Sequence, residues 1–135
     1  MRPRHLTPAI TTALLLALTA CSSDSEGAEF VGKPAADAPP YKVVKQDTSG
    51  NSRDVIVEVD STQRLEDVFT AVADSLTEEA GYHIQINCST GGTASVDNRL
   101  GNGKKAVGNM GEATTGLKDG QTEFKANEGR TCPKR

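Results

Sequence analysis

Few side chains in this sequence are equipped for chemistry. Its 135 residues hold three cysteines, two histidines and 18 carboxylates. His83 and Cys88 lie close together, and a thiol beside an imidazole is the usual way to build a nucleophile. The segment carrying them alternates, however: Tyr82, Ile84, Ile86 and Cys88 interleave with His83, Gln85 and Asn87. On a strand an odd separation sends two side chains to opposite faces, so Cys88 is expected in a core with His83 outside. The segment Ser89, Thr90, Gly91, Gly92, Thr93 offers small residues whose N–H groups could meet an anion. It has neither the lysine nor the following helix of a phosphate-binding loop, and it is read as a turn. With His5 and His83 the only histidines, a zinc-protease helix motif is excluded. No catalytic residue, metal ligand or cofactor is assigned. An enzyme would have to rely on His83 and the carboxylates between Asp54 and Glu79.

Those carboxylates are unevenly distributed. Residues 54 to 79 hold eight acids and one base, Arg64, whereas residues 99 to 135 hold eight bases and four acids. Asp67, Asp74 and Glu78 follow one another at steps of seven and four, which on a helix forms a stripe opposite the apolar arc. They are the candidate interaction face, for a basic partner or a divalent cation. The plainer reading is a solvated helix whose acids offset basic strands of the same domain. If the helix is only scaffold, Lys104, Lys105, Lys118 and Lys125 become candidates for facing an anionic wall polymer or lipid. A net charge of −3 with 4% aromatic residues offers no surface for nucleic acid.

The elements that must position these groups can be read from periodicity. Tyr41, Val43 and Val44, then Val55, Val57 and Val59 after a polar cluster, predict two strands joined by a loop. From Thr62 to Ala80 the residues Leu65, Val68, Phe69, Val72, Ala73, Leu76 and Ala80 recur at helical spacing. Asp60 or Ser61 is the expected N-cap and Gly81 the stop. A strand follows from Tyr82 to Cys88. The Gly-rich remainder, with turn signals at Gly91-Gly92, Asn102-Gly103 and Asp119-Gly120, predicts short strands at 104–107, 114–117 and 122–126, the last two forming a hairpin. The fold class is therefore α+β, a single helix packed on a small antiparallel β-sheet spanning residues 41–135.

The N-terminus has a different logic. Arg2 and Arg4 precede an apolar run from Ala9 to Ala20, too short for the roughly 20 residues that span a bilayer. Pro3 separates the two arginines, so there is no twin-arginine pair and export in an unfolded state is expected. Leu18, Thr19, Ala20 and Cys21 then resemble the lipobox of bacterial lipoproteins. This resemblance covers residues 1–21 only. It implies a cleaved signal peptide (1–20), a diacylglycerol on the Cys21 thiol and attachment to the extracytoplasmic face of the cell membrane. Residues 21–40 would be the lipidated cysteine and a flexible tether, a 19-residue coil with a reach of roughly 25 Å. Within it Asp24, Glu26, Glu29 and Asp37 outnumber Lys33, so anionic lipid should repel it. A Ser- and Ala-containing tether after such a cysteine is similar to those of small lipoproteins of Gram-positive actinobacteria.

Lipidation of Cys21 would also leave an even number of thiols. Cys88 and Cys132 are then expected to form a disulfide in an oxidising compartment, the alternative being a reactive Cys88. Closing that loop contributes on the order of 4 kcal/mol in the chain-entropy account. Two functions follow. One is a lipid-anchored envelope protein acting as a non-enzymatic binding module, with an envelope protein or wall polymer as partner. The other is a secreted enzyme inhibitor or a small hydrolase using surface carboxylates and His83.

Overall fold

A computed structural model describes residues 37–134, so Cys21 and the signal segment lie outside the described residues. The elements follow in the order β1 (Lys42–Gln46), β2 (Ser52–Val59), α1 (Leu65–Ser75), β3 (Ala80–Cys88), β4 (Asn98–Val107), α2 (Gly108–Thr115) and β5 (Thr122–Ala126). The strands form one five-stranded sheet in chain order. The α+β class holds, with two corrections to the expected arrangement.

The first correction is that the sheet is mixed, since β2 and β3 run parallel while the other three pairs are antiparallel. Parallel neighbours need a long crossover, and the stretch containing α1 supplies it. The second is that there are two helices. Residues 114–117, expected as a strand, contain the end of α2 and its cap. This helix has two glycines and only Gly111 buried, so it carries no apolar stripe to announce it. Its N–H groups are met instead by distant acids: Gly108 donates to Asp119 Oδ1 at 2.7 Å and Met110 to Glu79 Oε1 at 3.3 Å. Gly116 closes it at φ 77°, a left-handed position suited to glycine. The turn at Asp119-Gly120 therefore joins a helix to a strand and not two strands.

Helix α1 is shorter than its apolar period suggests. It starts from Arg64, which takes a left-handed conformation and bonds Asp67 through Nε at 2.6 Å; Asp60 and Ser61 do not cap it. It ends at Ser75, where Lys105 Nζ reaches across from β4 to the Ala73 carbonyl at 2.6 Å. A cation there suits the negative end of the helix dipole. Leu76 and Ala80 are buried all the same, one in the connection and one at the start of β3, so Gly81 is a strand residue and not a helix stop.

One face of the sheet is the core. Val55, Val57, Val59, Tyr82, Ile84 and Ile86 pack there beneath Val68, Phe69 and Val72 of α1. Phe69 stacks on Phe124 of β5 with ring centroids 5.0 Å apart. Gly103 makes that possible, since a Cβ on it would stand 2.1 Å from Phe69 Cε2. Asn102-Gly103 is thus mid-strand, and its glycine marks a close approach where a turn was expected. The Cys88–Cys132 disulfide ties the end of β3 to the C-terminal segment, with a Cα–Cα distance of 5.4 Å.

Candidate functional site

The other face of the sheet is covered only at one end. There α2 lies on Gly81 and Ala106; a Cβ on Gly81 would stand 1.9 Å from Thr114 Oγ1, and one on Gly111 would meet the Ala106 backbone. Beyond α2 the face is open and forms a shallow basin of about 510 Å³. Side chains standing opposite one another in the ladders share a face. The register therefore arranges the open face in rows. The first runs Asp54, His83, Lys104, Glu123 across four strands. The second runs Lys45, Ile56, Gln85, Asn102, Lys125 across five. The third runs Lys42, Glu58, Asn87, Arg99; of these Arg99 lines the basin, whereas Lys42 and Glu58 line a separate hollow at the other end of the sheet.

Two β-bulges complete these rows. In β4 the pairing jumps from Gly101 opposite Ile86 to Arg99 opposite Asn87, which makes Leu100 the extra residue. Strict alternation from Gly101 and Gly103 would have turned Arg99 into the core; the bulge re-aims it outward. In β1 Val43 stands opposite Val57 and Lys45 opposite Ile56, so Val44 is extra and Lys45 also moves to the open face. Both irregularities deliver a cation to the same surface. Asn87 is buried at the basin rim, where its Oδ1 accepts from Gln85 Nε2 at 2.9 Å, and that same amide reaches Asp97 Oδ2 at 3.3 Å.

The sequence candidates are distributed unevenly around this face. His83 sits half-buried at its centre, and Cys88 is on the opposite face and oxidised, so these two form no thiol–imidazole pair. Lys104 and Lys125 line the basin, whereas Lys105 points to the core side and Lys118 lies in the turn after α2. Asp67 and Asp74 are on α1, but Glu78 lies beyond the helix end. Asp67 is paired with Arg64 and Glu78 with Arg53, so the stripe spans a helix and a loop, with two of its three acids in ion pairs. Arg53 also lies over the Tyr82 ring, 5.8 Å from its centroid. Burial pushes the Tyr82 phenol above its ordinary value, the Arg53 charge pulling the other way. The guanidinium is itself raised, chiefly by its bond to Glu78. This cluster fastens β2 to the connection after α1. The Ser89–Thr93 segment is a turn, with Thr93 N–H donating to Val96 O at 2.8 Å.

A second hollow, of about 660 Å³, lies where Pro40 and Tyr41 lead into β1 and Pro133 passes by. Its polar groups are largely engaged with each other: Ser89 Oγ bonds Asp60 and Thr90 Oγ1 bonds the Pro133 carbonyl. Burial raises the Tyr41 phenol there. Among the described residues no three His, Cys, Asp or Glu side chains converge as a metal site would need, and no helix is long and apolar enough to cross a membrane. The basin offers amide and ammonium donors with carboxylate acceptors on a rigid floor, which suits holding a polar ligand. Asp54 and Glu123 are exposed at its edges and are not set in a cleft. Sequence reasoning found His83, Lys104 and Lys125 but missed Arg99, whose parity the bulge reverses, and Asn102, which was read as part of a turn although it shares the parity of Lys104. No family model matches the chain, and no curated protein or solved structure matches it either.

Proposed function

We propose that this chain is a lipid-anchored protein of the extracytoplasmic membrane face, which binds a polar ligand without chemical turnover on the open face of its sheet. The observation that carries the binding half is the basin itself: α2 stops short, and Asp54, His83, Gln85, Arg99, Asn102, Lys104, Glu123 and Lys125 line a floor made by four strands of the sheet, β2 to β5. A sheet face left open by its own helices, with bulges that turn Arg99 and Lys45 outward, is a rigid place to present donors and acceptors. Anchoring is supported by the Leu18-Thr19-Ala20-Cys21 pattern, and export by the Cys88–Cys132 bridge, since disulfides persist in oxidising compartments.

Two measurements test the reading. Full-length chain expressed in a lipoprotein-processing bacterium should fractionate with membranes and carry diacylglycerol on Cys21, and Cys21→Ser should abolish both. Wild-type protein recovered without lipid would refute the anchor. In parallel, NMR of the labelled protein with cell-envelope fragments should broaden the side-chain amide signals of Gln85 and Asn102 before the backbone amide signals of α1. Broadening confined to α1 would move the binding surface to the Asp67 side.

A further inference from the structure

Resting on that reading of the open face, we infer that its β4–β5 half is a subsite for a phosphate-bearing anionic polymer of the envelope. The acids on the face are placed opposite bases or His83: Glu58 faces Lys42, Glu123 faces Lys104, and Asp54 lies beside His83. Arg99 and Lys125 are different. Their cross-strand neighbours are the neutral amides Asn87 and Asn102. Both cations are exposed, as is Asn102, and all three line the one basin with Lys104. Asp97, the remaining carboxylate at that rim, accepts from the Gln85 amide.

A cation beside an amide N–H₂ is a donor set for the oxygens of a phosphate, and guanidinium is the side chain whose fork fits that group best. Spacing then argues for a chain over a single ion. At about 3.3 Å per residue, with one residue absorbed by the bulge, Arg99 and Lys104 are separated by roughly 13 Å along β4, with Asn102 and Lys125 between them. That run of donors meets successive phosphates of an extended polymer, while one phosphate would engage only part of it. The bulge at Leu100 is what places Arg99 in line, since a regular strand would have hidden it. The polymer is favoured over a phospholipid surface because the stretch joining the domain to Cys21 carries Asp24, Glu26, Glu29 and Asp37 against Lys33. Its repulsion from anionic headgroups works against laying the domain on them.

The test uses the full-length chain in detergent with purified poly(glycerol phosphate) as probe, uncharged dextran as the neutral control and phosphatidylglycerol vesicles as the lipid arm. Calorimetry should show binding to poly(glycerol phosphate), weakening as salt rises because exposed charges are screened within about 10 Å at 0.1 M. NMR shifts should centre on Asn102, Lys104 and Lys125. The combined variant Arg99→Gln, Lys104→Gln, Lys125→Gln should lose affinity by about tenfold or more, with its thermal midpoint and α1 resonances unchanged. Lys104→Arg with Lys125→Arg should keep it. Unchanged affinity in the Gln variant, shifts on another surface, or binding to vesicles but not to the polymer overturns the inference. Dextran binding on the same face, with no polymer binding, also overturns it while leaving the open face as a binding surface. Loss of the lipid anchor would instead register only in fractionation, so the two readings fail separately.

Discussion

The two faces of the central sheet are built from the same strands and obey opposite rules. On the core face β4 presents Gly101 and Gly103, which let Phe69 and Phe124 approach the backbone, and the side chains packed beneath α1 are apolar, with Lys105 closing the helix end and Arg53 lying over Tyr82 at the margin. Each position has a steric neighbour that fixes its size. On the open face the same strand presents Arg99, Asn102 and Lys104, and nothing packs above them until α2 reaches Ala106. The contrast separates positions constrained by packing from positions available for recognition. A substitution should therefore cost stability on one face and ligand on the other.

The largest effect belongs to the staple beside the core face. Cys132→Ala, opening a loop with a sequence separation of 44, should lower the unfolding free energy by about 4 kcal/mol in urea titrations. It should also make Cys88 available to alkylation. A loss below about 1 kcal/mol would mean that the core holds the C-terminal segment without help.

Gly103→Ala comes next. Its methyl group would collide with the Phe69 ring, which is held against Phe124, and the loss expected from overpacking is on the order of 2 kcal/mol. The comparison sharpens if Asn102→Ala, one residue along on the open face, leaves the denaturation midpoint in place.

Alkaline pH should probe the core side through Tyr82. Burial raises the Tyr82 phenol above the ordinary 10.0, so folding favours its protonated form. That stability is whole below pH 10.0 and is lost as pH climbs from there through the raised folded-state value. Thermal midpoints measured across this range should fall less steeply in Tyr82→Phe than in the parent chain. Equal slopes would assign the alkaline loss to other groups, Tyr41 first.

The smallest stability effect is expected on the open face. Arg99→Gln and Lys125→Gln should each change stability by less than about 0.5 kcal/mol by calorimetry. A larger loss at Arg99 would show that it supports the bulge and would weaken its case as a recognition residue.

Much of this architecture was legible beforehand, and the reasons differ by residue. The alternation from Tyr82 to Cys88 placed His83 and Cys88 on opposite faces, because strand pleating is local and needs no partner. The succession of strand, helical run and strand from Val55 to Ile86 also held the signal for a parallel pair, since such a connection is the usual crossover. The antiparallel expectation passed over it. The apolar period through Leu76 and Ala80 misled, because a buried residue in a connection and one starting a strand can fall in phase with a helix. Helix α2 had no legible signal, since Asp119 and Glu79 satisfy its N–H groups from outside the segment. The open face was visible only in part: Lys104 and His83 obey alternation, and Arg99 and Lys45 break it.

The sequence by itself determined which strand residues alternate, which residues are apolar enough to form a core, that His5 and His83 are too far apart for a zinc-protease helix motif, and that of three cysteines at least one stays outside any bridge within the chain. Those are properties of neighbouring residues and of counts. The tertiary structure decided between the pairings open to β2 and β3, making the parallel one, and it alone decided that Gly108–Thr115 is helical and that Arg99 shares a face with Lys104. Each of those outcomes depends on groups far apart in the chain: a crossover's length, acids that cap a distant helix, and a register in which Leu100 is left over between Gly101 and Arg99. A bulge reverses the parity of every residue beyond it, and pairing with another strand, not local preference, sets where it falls.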